Sequence, residues 1–277
     1  GGVASTVVDL TGEGWRGLAA GLALFRKNPP MLTLIIIAYW LTLATVNTIP
    51  LLGPLAATLA IPAFSVSLMN AVRKLDRGQP LEFPVLFSGF RKELKTLVML
   101  GGLYLVTSLS ALGASAIVDG GMFLQAMIGA YKPSPEEIAS GDFLLAAQIT
   151  LILMAPVIMA WWYAPVLVAW HGFTAGKALF FSLFACLRNW RAFLAYTACA
   201  LIFGGLLPGI VLGALVAIVP GASSFASTLL MLPLMFILAP TLVASFYVSY
   251  REVFTDSEPA QSESDGEPPP DAPTANE

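Results

Sequence analysis

Residues 25–74 read FRKNPPMLTLIIIAYWLTLATVNTIPLLGPLAATLAIPAFSVSLMNAVRK: a cation pair, a long apolar run, and a second cation pair. From 31 to 72 there are 42 residues without Asp, Glu, Lys or Arg. A helix crosses a bilayer in about 20 apolar residues, so this run holds two spans and the chain returns to the side it left. Three more uncharged runs, of 22, 34 and 59 residues, cover 97–118, 143–176 and 192–250. They hold one, one and two spans, which makes six. Barrel strands alternate in short segments and do not require unbroken apolar runs, so the spans are helices. They are expected near 31–48, 54–72, 97–118, 146–170, 193–218 and 226–249. With 57% hydrophobic and 11% charged residues and a mean hydropathy of +0.79, the chain is too apolar for a soluble domain of this length.

Cations set the orientation. With six spans, Arg16, Arg26, Lys27, Arg73, Lys74, Arg77, Arg91, Lys92, Lys95, Lys177, Arg188, Arg191 and Arg251 fall on one side, and Lys132 falls on the other. The positive-inside rule makes the crowded side cytoplasmic and predicts that both termini lie there. No secretory signal with a charged head and cleavage site is visible, so the first span is expected to be retained.

The cation-to-apolar junction recurs. Aligning Phe25-Arg26-Lys27, Phe90-Arg91-Lys92 and Leu187-Arg188-Asn189 puts Leu32, Leu97 and Leu194 at one offset, each opening a span. The returning spans share a proline: Pro62 precedes Arg73 by 11 residues, Pro165 precedes Lys177 by 12, and Pro240 precedes Arg251 by 11. The chain reads as three tandem parallel repeats, about 13–78, 79–171 and 172–252, each an interfacial amphipathic helix followed by a two-helix hairpin. Residues 1–12 are expected to be a flexible N-terminus. In the middle copy Leu86, Phe87, Phe90, Leu94 and Leu97 share one helical face and Arg91, Lys92 and Lys95 the other. In the first, Trp15, Leu18, Leu22 and Phe25 form the apolar stripe. In the third, Phe181 and Phe184 intrude on the polar side, which suggests a cover of protein. Arg16, Arg26, Lys27, Arg91, Lys92, Lys95, Arg188 and Arg191 are therefore candidate contacts to lipid headgroups, with simple topological anchoring as the alternative.

Pro62, Pro165 and Pro240 are expected to kink their spans, because each removes a backbone hydrogen bond. Kinked helices about a threefold axis either frame a cavity or fill it with side chains. Gly205, Gly209, Gly213 and Ala217 recur every four residues and form a groove for close packing, against another helix of the chain or against a second copy.

Catalytic constellations are not found. His171 is the single histidine, and its place beside Trp170 suits an interfacial hydrogen bond. Cys186 and Cys199 are 13 residues apart, too far for a disulfide along one helix. No phosphate loop or nucleophile elbow is present, and neither a metal nor a cofactor is expected. Ionisable groups at membrane depth, which coupled carriers retain, are not seen either. The loop 119–142 carries KPSPEEI, a turn leading into a short helix with acids in its first turn. Residues 256–277 hold seven acids, five prolines and no cation, and belong to an acidic tail, 253–277, too polar to build a core and expected to be disordered in the cytosol.

The stretches GWRGLAAGLALFRKNPPML, IPAFSVSLMNAVRKLDRGQPLEFPVLFSGFR and YAPVLVAWHGFTAGKALFFSLFACLRNW resemble a family of uncharacterised polytopic inner-membrane proteins of proteobacteria. The repeat is also similar to the membrane domain attached to some glycerophosphodiester phosphodiesterases. The resemblance implies a bacterial inner-membrane location and carries no enzymatic chemistry. The resulting expectation is an all-α, non-catalytic, multi-pass protein that acts through membrane lipids, a membrane-protein partner or a second copy of itself, and not through nucleic acid. The alternative is a passive channel or uncoupled carrier for a small or amphipathic solute.

Overall fold

A computed structural model describes residues 2–221 and 223–255; the acidic segment 256–277 lies outside them. Every regular element among the described residues is helical. Six helical runs are long and apolar enough to cross a bilayer: Pro29–Asn47, Leu52–Asp76, Leu94–Asp119, Gly141–His171, Trp190–Ile218 and Ser223–Phe254. All six match the expected spans, and the fourth begins five residues earlier than expected because Ser140 caps its first turn through the Phe143 N–H.

Helix α1 (Gly2–Phe25) leads to the first hairpin, α2 (Pro29–Asn47) and α3 (Leu52–Asp76). A 3-10 helix, Phe83–Phe90, precedes α4 (Leu94–Asp119). The far loop holds α5 (Met122–Met127) and α6 (Pro135–Ile138), and the return span is built from α7 (Gly141–Trp162) and α8 (Ala164–His171). Helix α9 (Ala175–Arg188) precedes the last hairpin: α10 (Trp190–Leu201), a π-helical turn Ile202–Leu206, α11 (Leu207–Ile218), α12 (Ser223–Pro233), a second π turn Leu234–Leu238, and α13 (Ala239–Thr255).

The three helices that precede the hairpins at the cation-rich end each pack on a returning span. Helix α1 lies on α13 and α10, the 3-10 helix lies on α3, and α9 lies on α7 and α8. Small residues make these contacts close. A side chain at Gly21 would strike Thr241 and Ser245 of α13, and one at Gly89 would strike the Ala63 carbonyl of α3. The Gly89 N–H donates to Ser67 Oγ at 2.9 Å. On α9 the buried face is Ala178, Ser182, Ala185 and Cys186. Ser182 Oγ donates to the Met159 carbonyl at 2.7 Å and accepts from the Tyr163 N–H at 2.9 Å, which serves both backbone groups where α7 breaks into α8.

Several expectations change. Helix α1 begins at Gly2, so residues 2–12, expected to be flexible, continue it. Its protein-facing stripe is Gly14, Gly21, Leu24 and Phe25, whereas Trp15 is 63% exposed. The middle amphipathic helix is shorter than the pattern implies. It stops at Phe90, the chain turns through Glu93 in a left-handed conformation (φ 56°), and Leu94 and Leu97 belong to α4. The turn is needed because Gly89 is fixed against α3 while the next residues must enter a span. On α9, Phe181 and Phe184 are exposed and not covered by protein.

Candidate functional site

The returning spans α3, α8 and α13 meet at the cation-rich end in a network of polar and aromatic side chains. The Asn70 amide donates to Ser88 Oγ at 3.0 Å, and its oxygen accepts from Trp170 Nε1 at 2.8 Å and Arg73 Nη2 at 3.3 Å. The Arg73 guanidinium lies 4.0 Å from the centre of the Trp170 ring, a cation–π contact. Trp170 also meets Tyr247 and Tyr250 edge-on, at 6.2 and 5.2 Å. Asp76 accepts from the Tyr247 hydroxyl at 2.7 Å and from Arg251 at 2.9 Å. His171 and the Tyr250 hydroxyl share a hydrogen bond, the interfacial role expected of this histidine. Lys27 Nζ donates to the Leu75 carbonyl, next to Asp76, at 3.1 Å.

This network is the part of the site that the sequence conceals. Asn70 reads there as weak polarity in a span, and Asp76 as one acid in a cation cluster. The signals were available in the WH pair at 170–171 and in FYVSY at 246–250, but nothing in one dimension brings them together.

A cavity of about 390 Å³ lies between the spans, lined among others by Tyr104, Trp161, Trp162, Pro165, Tyr196 and Phe246. The Trp161 N–H donates to the Leu100 carbonyl and the Tyr196 hydroxyl to the Leu242 carbonyl, both at 2.9 Å. Their rings are thereby held as apolar walls. No Asp, Glu, Lys, Arg or His lines it, so what it admits is selected by shape and aromatic faces.

The eight candidate headgroup cations do not converge on one point. All are exposed and are spread around the cation-rich end. Arg16 Nε donates to the Gly12 carbonyl of its own helix at 3.3 Å. Arg26 follows α1, Arg91 and Lys92 occupy the turn after the 3-10 helix, and Lys95 opens α4. Arg188 ends α9, and Arg191 sits 5.4 Å from the Trp190 ring. Beside them stand exposed aromatics: Trp15 on α1, Phe83 and Phe87 on the 3-10 helix, and Phe180, Phe181 and Phe184 on α9. Lys177 Nζ lies 4.2 Å from the Phe173 ring within this last group.

The prolines act in three different ways. Pro62 sits within an uninterrupted helix, Pro165 starts α8 after the break at Tyr163, and Pro240 follows the π turn Leu234–Leu238. Pro240 deprives the Phe236 carbonyl of its helical donor, and Thr33 Oγ1 approaches that oxygen at 3.5 Å. Only Pro165 lines the central cavity. The glycine groove is open: a Cβ at Gly205, Gly209 or Gly213 would meet nothing within 4 Å, and Ala217 is exposed. Among the described residues no other helix occupies it. Cys186 and Cys199 are free thiols on two different helices. Burial pushes the Cys186 thiol up to about 12. Among the described residues no three His, Cys, Asp or Glu side chains cluster as metal ligands.

Fold and site together define a polytopic α-helical membrane protein. The chain is 37% identical over 257 residues to a "Probable inner membrane protein" of Burkholderia thailandensis, an alignment that covers 90% of this chain and 93% of the relative. It belongs to that family of multi-pass inner-membrane proteins. No protein-family model and no solved structure matches it.

Proposed function

We propose that the protein acts without catalysis, by engaging lipid at the cytoplasmic headgroup layer of the inner membrane. One observation carries this: each of the three helices at the cation-rich end packs on a span through at least one small residue (Gly14 and Gly21, Gly89, or Ala178 and Ser182) and leaves large aromatics exposed beside exposed cations on the helix or at its ends. Aromatic rings settle at the boundary between headgroups and acyl chains, and Lys and Arg beside them attract anionic lipid at about 1 kcal/mol each. The positive-inside rule then puts this end, with both termini, in the cytoplasm. The order of packing, α1 on the third returning span, the 3-10 helix on the first and α9 on the second, supports three repeats closed into a ring. The test is lipid association in vesicles of phosphatidylglycerol and phosphatidylcholine: Phe180→Ala, Phe181→Ala and Phe184→Ala together with Arg91→Ala, Lys92→Ala and Lys95→Ala should abolish the anionic preference. An unchanged preference would sink the proposal.

A second reading, passive passage of a small amphipathic solute, is favoured by the aromatic cavity. On the same returning spans, beyond the cavity lining, Trp170 is held by Asn70 and Arg73, and we take this network as the candidate gate. Flux in reconstituted vesicles that rises on Trp170→Ala would support it.

A further inference from the structure

The cation-rich end of α13 carries a strong local charge imbalance. Arg251 pairs with Asp76 at 2.9 Å, Lys27 Nζ reaches the carbonyl of the preceding Leu75 at 3.1 Å, and Arg73, Lys74 and Arg77 flank Asp76 in the chain. Arg251 and Lys27 both act on the Asp76 charge, and Arg77 acts on that of Arg73. Asp76 is already occupied by Arg251 and Tyr247, and Lys27 and Arg77 are exposed. The described part of α13 ends at Thr255, one turn beyond Arg251. The next 22 residues contain seven acids and no cation.

We propose that the acidic segment 256–277 docks on the Lys27, Lys74 and Arg77 cluster of its own chain and covers it. The occupant is fixed by charge and by tethering. Twenty-two residues reach up to about 75 Å when extended and about 25 Å as a coil, and their root lies one turn beyond Arg251, which touches Asp76 next to Arg77, so the segment meets these cations at millimolar effective concentration. Lys92 and Lys95 lie at the entry to α4, whereas α13, which carries the root of the segment, packs on α3, the helix that holds Lys74 and runs into Arg77. The consequence goes beyond the lipid reading: part of the cationic face is held by the chain itself, and anionic lipid must compete for it.

The experiment is amine acylation of the full chain and of a chain ending at Thr255, both in phosphatidylcholine nanodiscs, read residue by residue by mass spectrometry. Lys27 and Lys74 should react at least about threefold more slowly in the full chain, with Lys92 and Lys95 unchanged. The protection should vanish near 1 M salt, where the screening length is about 3 Å. A full-length variant with Asp256, Glu258, Glu263, Asp265, Glu267, Asp271 and Glu277 changed to Asn or Gln should react like the shortened chain. Equal rates in full and shortened chains would overturn the proposal, as would protection that survives neutralisation. Protection that appears only on adding phosphatidylglycerol, in both chains alike, would also overturn it and assign the cluster to lipid. Because the discs contain no anionic lipid at the start, failure here leaves the headgroup reading to its own test.

Discussion

The span Leu52–Asp76 and the span Trp190–Ile218 are both apolar, yet 56% of the most hydrophobic window of the first is buried within the protein and none of the second. Phe64, Val66, Met69 and Val72 of α3 are shut into a core with Leu32 and Ile36 of α2 and Leu86 of the 3-10 helix. Leu201, Leu206, Ile210 and Leu215 of the fifth span face outward. Hydrophobicity keeps both in the membrane, but it does not hold one helix to another there, because lipid tails are as apolar as leucine. Close backbone approach and hydrogen bonds do that, and α3 has both at Gly89, Ser67 and Asn70. The fifth span has its glycines too, but among the described residues nothing lies against Gly204, Gly205, Gly209 or Gly213.

The sharpest way to break this contrast is to add the same bulk to both glycine sets. Gly89→Val drives a side chain into the Ala63 carbonyl and should cost about 3 kcal/mol or more, seen as loss of the monodisperse protein on heating in detergent. Gly209→Val meets open space and should lie within about 0.5 kcal/mol of the parent. Equal effects would show that the fifth span is packed in the membrane after all. A smaller contrast comes from removing bulk. Leu100 is fully buried, and Leu100→Ala should cost about 2 kcal/mol, at the low end for a core leucine because transfer to lipid costs little and mainly the cavity remains. Leu206, 60% exposed, should tolerate alanine without a measurable shift in the melting temperature.

Next in size is Asp76→Asn, which weakens the link from α3 to Tyr247 and Arg251. With both charged partners partly exposed, it should cost about 1 kcal/mol, and less at high salt. Chemical reactivity gives a cleaner readout at Cys186. Its raised thiol value leaves almost no thiolate at pH 8, so maleimide should label it only after unfolding.

The smallest effect is expected at the far loop. The Tyr131 hydroxyl and the capping box with Ser134 hold the Glu137 carboxyl below its ordinary value of 4.5. A depressed carboxyl stabilises the folded loop above the ordinary value, and that contribution is lost as pH falls through the depressed one. Amide exchange over 134–138 should therefore quicken as pH falls below the ordinary carboxyl value, after correction for intrinsic rates, while exchange in α3 stays flat.

Particular residues show where the sequence was legible. Arg26-Lys27 and Arg73-Lys74 bracket the first hairpin, and Ser134-Pro135-Glu136-Glu137 writes its capping box in plain form. The facing of α9 was not legible. Phe181 and Phe184 break a simple amphipathic pattern, and only the packing of Ala178, Ser182, Ala185 and Cys186 on α7 and α8 shows that the aromatics point outward. In the same way Trp15 looks like a buried residue of α1, whereas Gly14 and Gly21 make the contact with α10 and α13. Asn70, Trp170 and Tyr247 come from three separate spans.

The sequence by itself determined six spans, their hairpin order and the clustering of cations at one end. Bilayer insertion depends on the length and polarity of consecutive residues, which is a one-dimensional property. Only the tertiary structure decided which face of each helix meets protein, which glycines are contacts, and that three returning spans join through Asn70, Trp170 and Asp76. Lipid and protein interior are equally apolar, so the hydrophobic pattern cannot tell them apart, and the choice falls to the shape and hydrogen bonding of side chains distant in the chain.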